Sequence, residues 1–391
     1  MISVKEAKSI LKANIPRGPI KKIPLNAAMD KIIAESIKST MDVPSFDNSA
    51  MDGYALAWDD QQTIWELTDE IAAGDNKKHV LDKGKACRIF TGAPVPKGAD
   101  TVIPQEWVKK EGKTISFEKN RFQKGNHIRT KGAQTKVADV IIEKDQIISP
   151  GSIGLLASVG IAEIPVYSPP SVGIIITGNE LKPLGQALDF GQIYNANGPV
   201  LEAYLNKLGI TNIQHYQALD EPNLLQAEID KALLKNDFVL LSGGISVGDY
   251  DYVKSGLENA GVHQLFYKIK QRPGKPLYVG LKENKVVFAL PGNPSSVITC
   301  FNQYVKPSIL QWMGYSDPWQ ASEIIPLADN INRKAGLTFF LKAKVENGEV
   351  HILPGQESFN LISFGTANCF AEIPEEVEQL DLGDHISVYY W

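Results

Sequence analysis

The run Phe238-Val239-Leu240-Leu241-Ser242-Gly243-Gly244 is a continuous apolar stretch that ends on glycines. A segment of this length with no polar alternation fits an inner strand of a parallel sheet, covered on both faces. It leads into Ile245-Ser246-Val247-Gly248-Asp249-Tyr250-Asp251, a turn rich in small residues that closes on two carboxylates. Glycines let main-chain N–H groups approach an anion, and Asp249 and Asp251 can hold a cation beside it. A second strand, turn and helix of the same kind follows at Val286-Val287-Phe288-Ala289-Leu290-Pro291-Gly292-Asn293-Pro294-Ser295-Ser296. Between Ser171 and about Met313 strands alternate with helices, so an α/β domain with a parallel sheet is expected. Ligands of such folds collect at the carboxyl ends of the strands, where all these turns lie.

The chain has 391 residues, 43% of them apolar, which exceeds what one core usually organises. Its formal net charge of −5 gives no general attraction to nucleic acid or to an anionic membrane. An anionic ligand must therefore be drawn by a local group of Lys and Arg. Cys87, Cys300 and Cys369 are few, scattered and odd in number, which suits a reducing compartment better than a disulfide framework. Residues Met1 to Lys8 lack a secretory pattern, and no stretch reaches the roughly 18 apolar residues of a membrane helix, so a cytoplasmic location is expected.

Four domains are expected. Residues 1–45 with 143–170 read as a helical linker, with amphipathic segments near Val4 to Leu11 and near Ala27 to Ser36 and a helix near Ser152 to Gly160. Residues 46–142 show short strands and Gly-containing turns, an inserted β module. Residues 171–315 are the α/β domain. In it Asn197 reads as the capping residue of a helix whose apolar stripe includes Leu201 and Leu205. Residues 316–391 form a C-terminal β-barrel-like domain, with Asn347-Gly348 as a hairpin turn.

Several clusters carry chemistry. Asp47-Asn48-Ser49-Ala50-Met51-Asp52-Gly53 reads either as a capped turn or as a ligand site, because Asp and Asn satisfy their own backbone readily. In Thr91-Gly92-Ala93-Pro94 the Thr91 hydroxyl could meet a phosphate. Glu180, after the first strand of the α/β domain, joins Asp249 and Asp251 at the ligand edge, or serves as a first-turn helix carboxylate. Asp220, before Glu221-Pro222, is equally a helix cap. As a set these hard oxygen donors beside a phosphate turn favour Mg²⁺. Lys268, Lys270, Arg272 and Lys275 lie in a stretch stiffened by Pro273, Gly274 and Pro276, which suits an oxyanion clamp. The six histidines show no metal-ligand spacing.

In order, Asp47 to Ala55, Thr91 to Asp100, Ser242 to Asp251, Arg272-Pro273-Gly274-Lys275-Pro276 and Leu290 to Pro294 make the chain resemble the molybdopterin molybdenumtransferases, the bacterial MoeA proteins and the E domain of gephyrin. The resemblance implies an elongated homodimer with its site at the interface, where the β module of one subunit faces the α/β domain of the other. It implies molybdate insertion into adenylylated molybdopterin with release of AMP and with Mg²⁺. Asp52, Lys268, Arg272 and Lys275 would be catalytic, and Glu180, Asp220, Asp249 and Asp251 would hold the metal. Substrate would be bound by Ser242, Gly243, Gly244, Ser246 and Gly248 of one turn and by Pro291, Gly292 and Asn293 of the other, with Thr91 and Ser358. A molybdopterin adenylyltransferase and acceptor molybdoenzymes would be its protein partners.

The chain departs from the family pattern at Ala133-Gln134, where Glu-Asp is usual, at Asn179 in place of Asp, and at Arg272 in place of Lys. Gln134 supplies neither an anionic ligand nor a base. Two rival readings follow: a non-catalytic molybdopterin-binding scaffold, and a phosphoanhydride hydrolase acting on another nucleotide.

Overall fold

The computed structural model describes residues 1–219, 221–244 and 252–391. The chain divides into two compact units, one of residues 1–21 with 167–391 and the other of residues 22–166. No helix among the described residues is long and apolar enough to cross a membrane.

A six-stranded sheet forms the centre of the first unit, ordered Ile213–Ala218, Val172–Thr177, Phe238–Ser242, Lys285–Leu290, Tyr278–Lys282 and His263–Tyr267. The first four are mutually parallel; Tyr278–Lys282 runs against them, and His263–Tyr267, antiparallel to Tyr278–Lys282, runs with them again. The sheet is thus mixed rather than wholly parallel, because Lys282 pairs with Lys285 across a two-residue hairpin turn in which Glu283 takes φ +54. Phe238, Leu240, Phe288 and Leu290 face one core. Val239, Leu241, Val287 and Ala289 face the other. That two-sided burial is the reason the apolar run has no alternation, and each Val, Leu or Phe among these side chains contributes about 1.5–3 kcal/mol.

The helix Val4–Asn14 opens on a capping box between Ser3 and Glu6 and buries Val4, Ala7 and Leu11. These residues join the core that covers one face of the α/β sheet. After Pro318 the strands Glu323–Pro326, His385–Tyr390, Cys369–Ile373, Thr338–Glu346 and Glu349–Ile352 pair in that order. A bridge between Leu327 and Val350 joins the two ends, which gives the barrel-like closure. Leu327, Val350, Ala371 and Val388 fill its interior. Asn347 and Gly348 both take positive φ in the hairpin turn, as their sequence predicts.

In the second unit a six-stranded sheet is ordered Thr101–Pro104, Gly53–Leu56, Lys85–Ile89, Trp65–Ile71, Thr114–Phe117 and Val108–Glu111. A separate apolar cluster of Ile33, Ile37, Ile142, Ile148 and Leu156 packs beneath the helix Pro150–Ser158. The expected helix from Ala27 to Ser36 does not form. Only a short 3-10 turn, Leu25–Ala27, is present; Asp30 takes φ +60, and Ile32 and Ile33 make bridges to Ile147 and Val166. Adjacent β-branched residues gain more from those pairings than from a short helix. All three cysteines are free and buried, and burial pushes the Cys87 thiol up to about 12.

Candidate active site

Thr177, Ser242 and Leu290 end three neighbouring parallel strands at nearly the same level, since Ile176 pairs with Ser242 and Ser242 with Leu290. The chain beyond each strand lines a cavity of about 660 Å³. Glu180, Asn197, Ser242, Gly243, Pro291, Gly292 and Asn293 all line it, with Pro276 and Phe359 at its margin. The site is therefore at the carboxyl edge of the sheet, as the strand order of an α/β fold dictates.

Gly243 adopts φ +98, and a Cβ there would stand 2.6 Å from Thr177 O and 2.7 Å from Thr177 Oγ1. Gly244 follows at φ +68, where a Cβ would stand 2.7 Å from the Val253 side chain. The first turn is thus close-packed against the neighbouring strand end and accepts only hydrogen at these positions. Gly292 comes so close to it that its Cβ would meet Gly243 Cα at 4.0 Å.

Asn197 ties the two glycine turns together. Its Nδ2 donates to Ser242 Oγ at 2.9 Å and to Gly292 O at 2.8 Å. Its expected capping role passes elsewhere: the helix Asn197–Lys207 has no side-chain cap at Ala196, and Gly198 N–H donates to Asn195 Oδ1 at 2.9 Å. The sequence Asn197-Gly198-Pro199 is a good helix start on its own, which hid this second use. Asn197 Oδ1 and Thr177 Oγ1 are buried and without a partner among the described residues. A buried oxygen without a partner is costly unless a ligand or water completes it. Asn197→Leu should remove the bridge, lower stability by about 1–2 kcal/mol and weaken ligand binding by more than tenfold. Urea titration with binding measured on the same preparation tests this.

At the second turn, Asn293 Nδ2 donates to Ser358 Oγ at 3.1 Å and Ser295 N–H donates to Ser358 O at 3.2 Å. Ser358 is thereby fixed beside Pro291-Gly292-Asn293, 65 residues away in sequence. Glu180 is exposed and folds its carboxylate toward the main chain, with Oε2 2.8 Å from where a Gly178 Cβ would stand. Asp220, Ser246, Gly248, Asp249 and Asp251 lie outside the described residues. Among the described residues no three Asp, Glu, His or Cys side chains gather as a metal site. The exposed Glu180 carboxylate and the unpartnered Thr177 hydroxyl are hard oxygen donors of the type Mg²⁺ accepts, and they fit that ion.

The three expected cations do not line the cavity wall. Lys268 takes φ +66 and holds its ammonium 4.9 Å from the Tyr267 ring centroid. Arg272 is exposed and pairs with Phe339, and Lys275 is exposed immediately before the cavity residue Pro276.

In the second unit, two expected motifs lie side by side. Ser49 N–H donates to Ala93 O at 3.0 Å, Gly92 N–H to Ser49 O at 2.9 Å and Val95 N–H to Asp47 O at 2.9 Å. Asp52 Oδ1 accepts from Thr91 N–H at 2.8 Å and from Thr91 Oγ1 at 2.7 Å. These two bonds, the backbone one first, hold the Asp52 carboxyl below the usual carboxylate range, and the Arg88 charge adds to the shift. Its stabilising contribution is present above the ordinary carboxylate pKa and is lost as pH falls through the depressed value. Arg88 is itself fixed, donating to Gly53 O at 3.0 Å and to Gln105 Oε1.

Fold and site define an α/β domain with added β domains and a cavity at the strand ends of its sheet. Family models match along nearly all of the chain: the MoeA N-terminal region (domains I and II) at residues 2–160, a probable molybdopterin binding domain at 173–311, and the MoeA C-terminal region (domain IV) at 325–391. The molybdopterin molybdenumtransferase of Staphylococcus aureus strain Mu50 is 33% identical over 385 residues, covering 95% of this chain and 91% of that protein. That of Staphylococcus epidermidis strain RP62A is 32% identical over 399 residues, 99% and 95% of the two. A crystal structure of a molybdopterin biosynthesis MoeA protein from Pyrococcus horikoshii superposes with a TM-score of 0.85 at 31% identity, covering 100% of this chain and 99% of that one. The chain belongs to the MoeA family of molybdopterin molybdenumtransferases, enzymes of molybdenum cofactor biosynthesis.

Proposed function

We propose that the chain inserts molybdate into adenylylated molybdopterin with release of AMP, at the cavity beneath Gly243 and Gly292. The observation that carries this reading is the Asn197 bridge, which holds two phosphate-type turns at one opening together with Glu180 and Ser358. Main-chain groups of such turns suit a pyrophosphate, and the cavity has the volume of a small-molecule site.

Molybdate is an oxyanion and must approach a substrate that is already anionic. Lys268, Arg272 and Lys275 offset that repulsion. Glu180, Asp220, Asp249 and Asp251 would hold Mg²⁺, which neutralises phosphate oxygens when bound. Breaking the phosphoanhydride then depends on positioning and charge more than on a protein nucleophile. The working form is a cytoplasmic homodimer of four-domain chains, in which Asp52 and Thr91 of a second copy complete the pocket. Their mutual hydrogen bonds keep that carboxylate ionised and oriented.

AMP release from adenylylated molybdopterin, measured with and without molybdate, tests the reading. Release that requires molybdate is expected. Release without it would mark a general hydrolase, and none at all would mark a scaffold. Asp251→Asn should abolish turnover and leave the dimer intact by analytical ultracentrifugation; full activity in this variant would remove Asp251 from the metal set.

A further inference from the structure

Lys342 is only 1% exposed, an unusual setting for a lysine. It lies in the strand Thr338–Glu346 of the C-terminal barrel. Its ammonium donates to three main-chain carbonyls, those of Gly355, Glu357 at 3.3 Å and Asn360 at 2.8 Å. The Phe364 ring stands 5.3 Å away. Its backbone is held by the same segment: Lys342 N–H donates to Gln356 Oε1 at 3.0 Å, and Lys342 O accepts from Leu353 N–H at 3.0 Å and Gln356 Nε2 at 2.9 Å. Burial pulls the ammonium below the ordinary lysine value, with Glu357 opposing the shift. Lys342 shares its strand face with Phe340 and pairs with Phe370, outside the barrel interior, and an apolar side chain would fill that buried position without the penalty, so packing alone does not account for a lysine.

The wrapped segment carries one residue that lines the cavity, Phe359, and one that bonds a lining residue, Ser358. Ser358 bonds Asn293 and the start of the helix Pro294–Cys300, and Phe359 lines the cavity while remaining 73% exposed. Without Lys342, the carbonyls of Gly355, Glu357 and Asn360 would lose a charged donor at once, leaving the turn to the neutral bonds of Gln356, Asn360 and Ser363.

We propose that Lys342 is a positioning residue for this site: its ammonium gathers the carbonyls of residues 355–360 so that Ser358 and Phe359 are held at the cavity edge before substrate arrives. The proposal rests on the cavity being the substrate site. Phe359 then offers a flat apolar wall to a ring system, and Ser358 fixes the second glycine turn. Ordering the segment in advance removes an entropy loss from the binding step, so releasing it should act on binding more than on the chemical step.

The test compares the full-length wild type with Lys342→Met and Lys342→Arg. For Lys342→Met, KM for adenylylated molybdopterin should rise roughly tenfold with kcat within about threefold, while Lys342→Arg, which keeps a donor, should stay nearer wild type. Hydrogen exchange at residues 355–360 should quicken in Lys342→Met and not across the α/β sheet. Unchanged KM and unchanged exchange would overturn the proposal, as would equal impairment in both variants. If Lys342→Met fails to fold, Gln356→Ala loosens the same segment from its partly buried side; it should raise KM likewise, and a wild-type KM there counts against the clamp. A wild type that binds adenylylated molybdopterin yet releases no AMP would defeat the proposed activity alone. The clamp would then stand or fall on the Kd and exchange of Lys342→Met.

Discussion

Gly243→Ala is expected to lower both stability and ligand affinity, and to do so more than any other single methyl added at the cavity. Its φ of +98 is one that L side chains rarely adopt, and the new Cβ would stand 2.6 Å from Thr177 O and 2.7 Å from Thr177 Oγ1. Both contacts are far inside van der Waals distance, and Thr177 ends a fully buried strand that cannot retreat. Backbone strain of this type costs about 1–3 kcal/mol, and the clash adds to it. The turn must therefore move, which pulls Ser242 away from Asn197 and breaks the bridge to Gly292. Urea unfolding should show a lower midpoint, and binding of adenylylated molybdopterin should weaken by about 100-fold, equivalent to roughly 2.7 kcal/mol. Gly292→Ala is the control. Its Cβ meets nothing nearer than 4.0 Å, so it should fold normally and only crowd the ligand. Wild-type stability in Gly243→Ala would show that the turn is not held as described.

Lys275→Met should reduce kcat/KM for molybdate insertion by about 10²–10³-fold while changing stability by less than about 0.5 kcal/mol. Lys275 is exposed, so its removal leaves no hole in a core. Its backbone is nevertheless fixed. Gly274, at φ +88, packs where a Cβ would lie 2.6 Å from Cys300 Sγ and 2.8 Å from Gln271 Nε2. Gln271 Nε2 donates to Pro273 O at 3.0 Å and to Gly274 O at 3.2 Å, and Tyr304 Oη donates to Gln271 Oε1. A buried glutamine thus anchors the loop from within and leaves the lysine free to meet an oxyanion. Steady-state kinetics over a range of molybdate concentrations decide the matter. A Lys275→Met enzyme with unaltered kcat/KM would remove this cation from the reaction.

The positions that sequence misread or passed over share one property: each makes two demands at once. Asn197 satisfies the pattern of a helix start, and its use as a cross-link between Ser242 and Gly292 depends on strands far apart in sequence. Lys342 sits in an alternating strand pattern that gives no warning of a caged ammonium. Residues 27–36 have helical spacing, yet Ile32 and Ile33 take up pairing with segments more than a hundred residues away. By contrast, the glycines at 243, 244 and 348 were legible because their φ values are a local necessity.

The order of apolar runs, glycine turns and carboxylates by itself determined the strand and helix alternation, the ligand edge of the sheet and the family resemblance, because period and turn chemistry act over a few residues. Only the tertiary structure decided that Thr91 holds Asp52, that Ser358 meets Asn293 and that the two glycine turns share one cavity. Those are contacts between segments whose separation along the chain says nothing about distance, and they are set by how buried strands align in register.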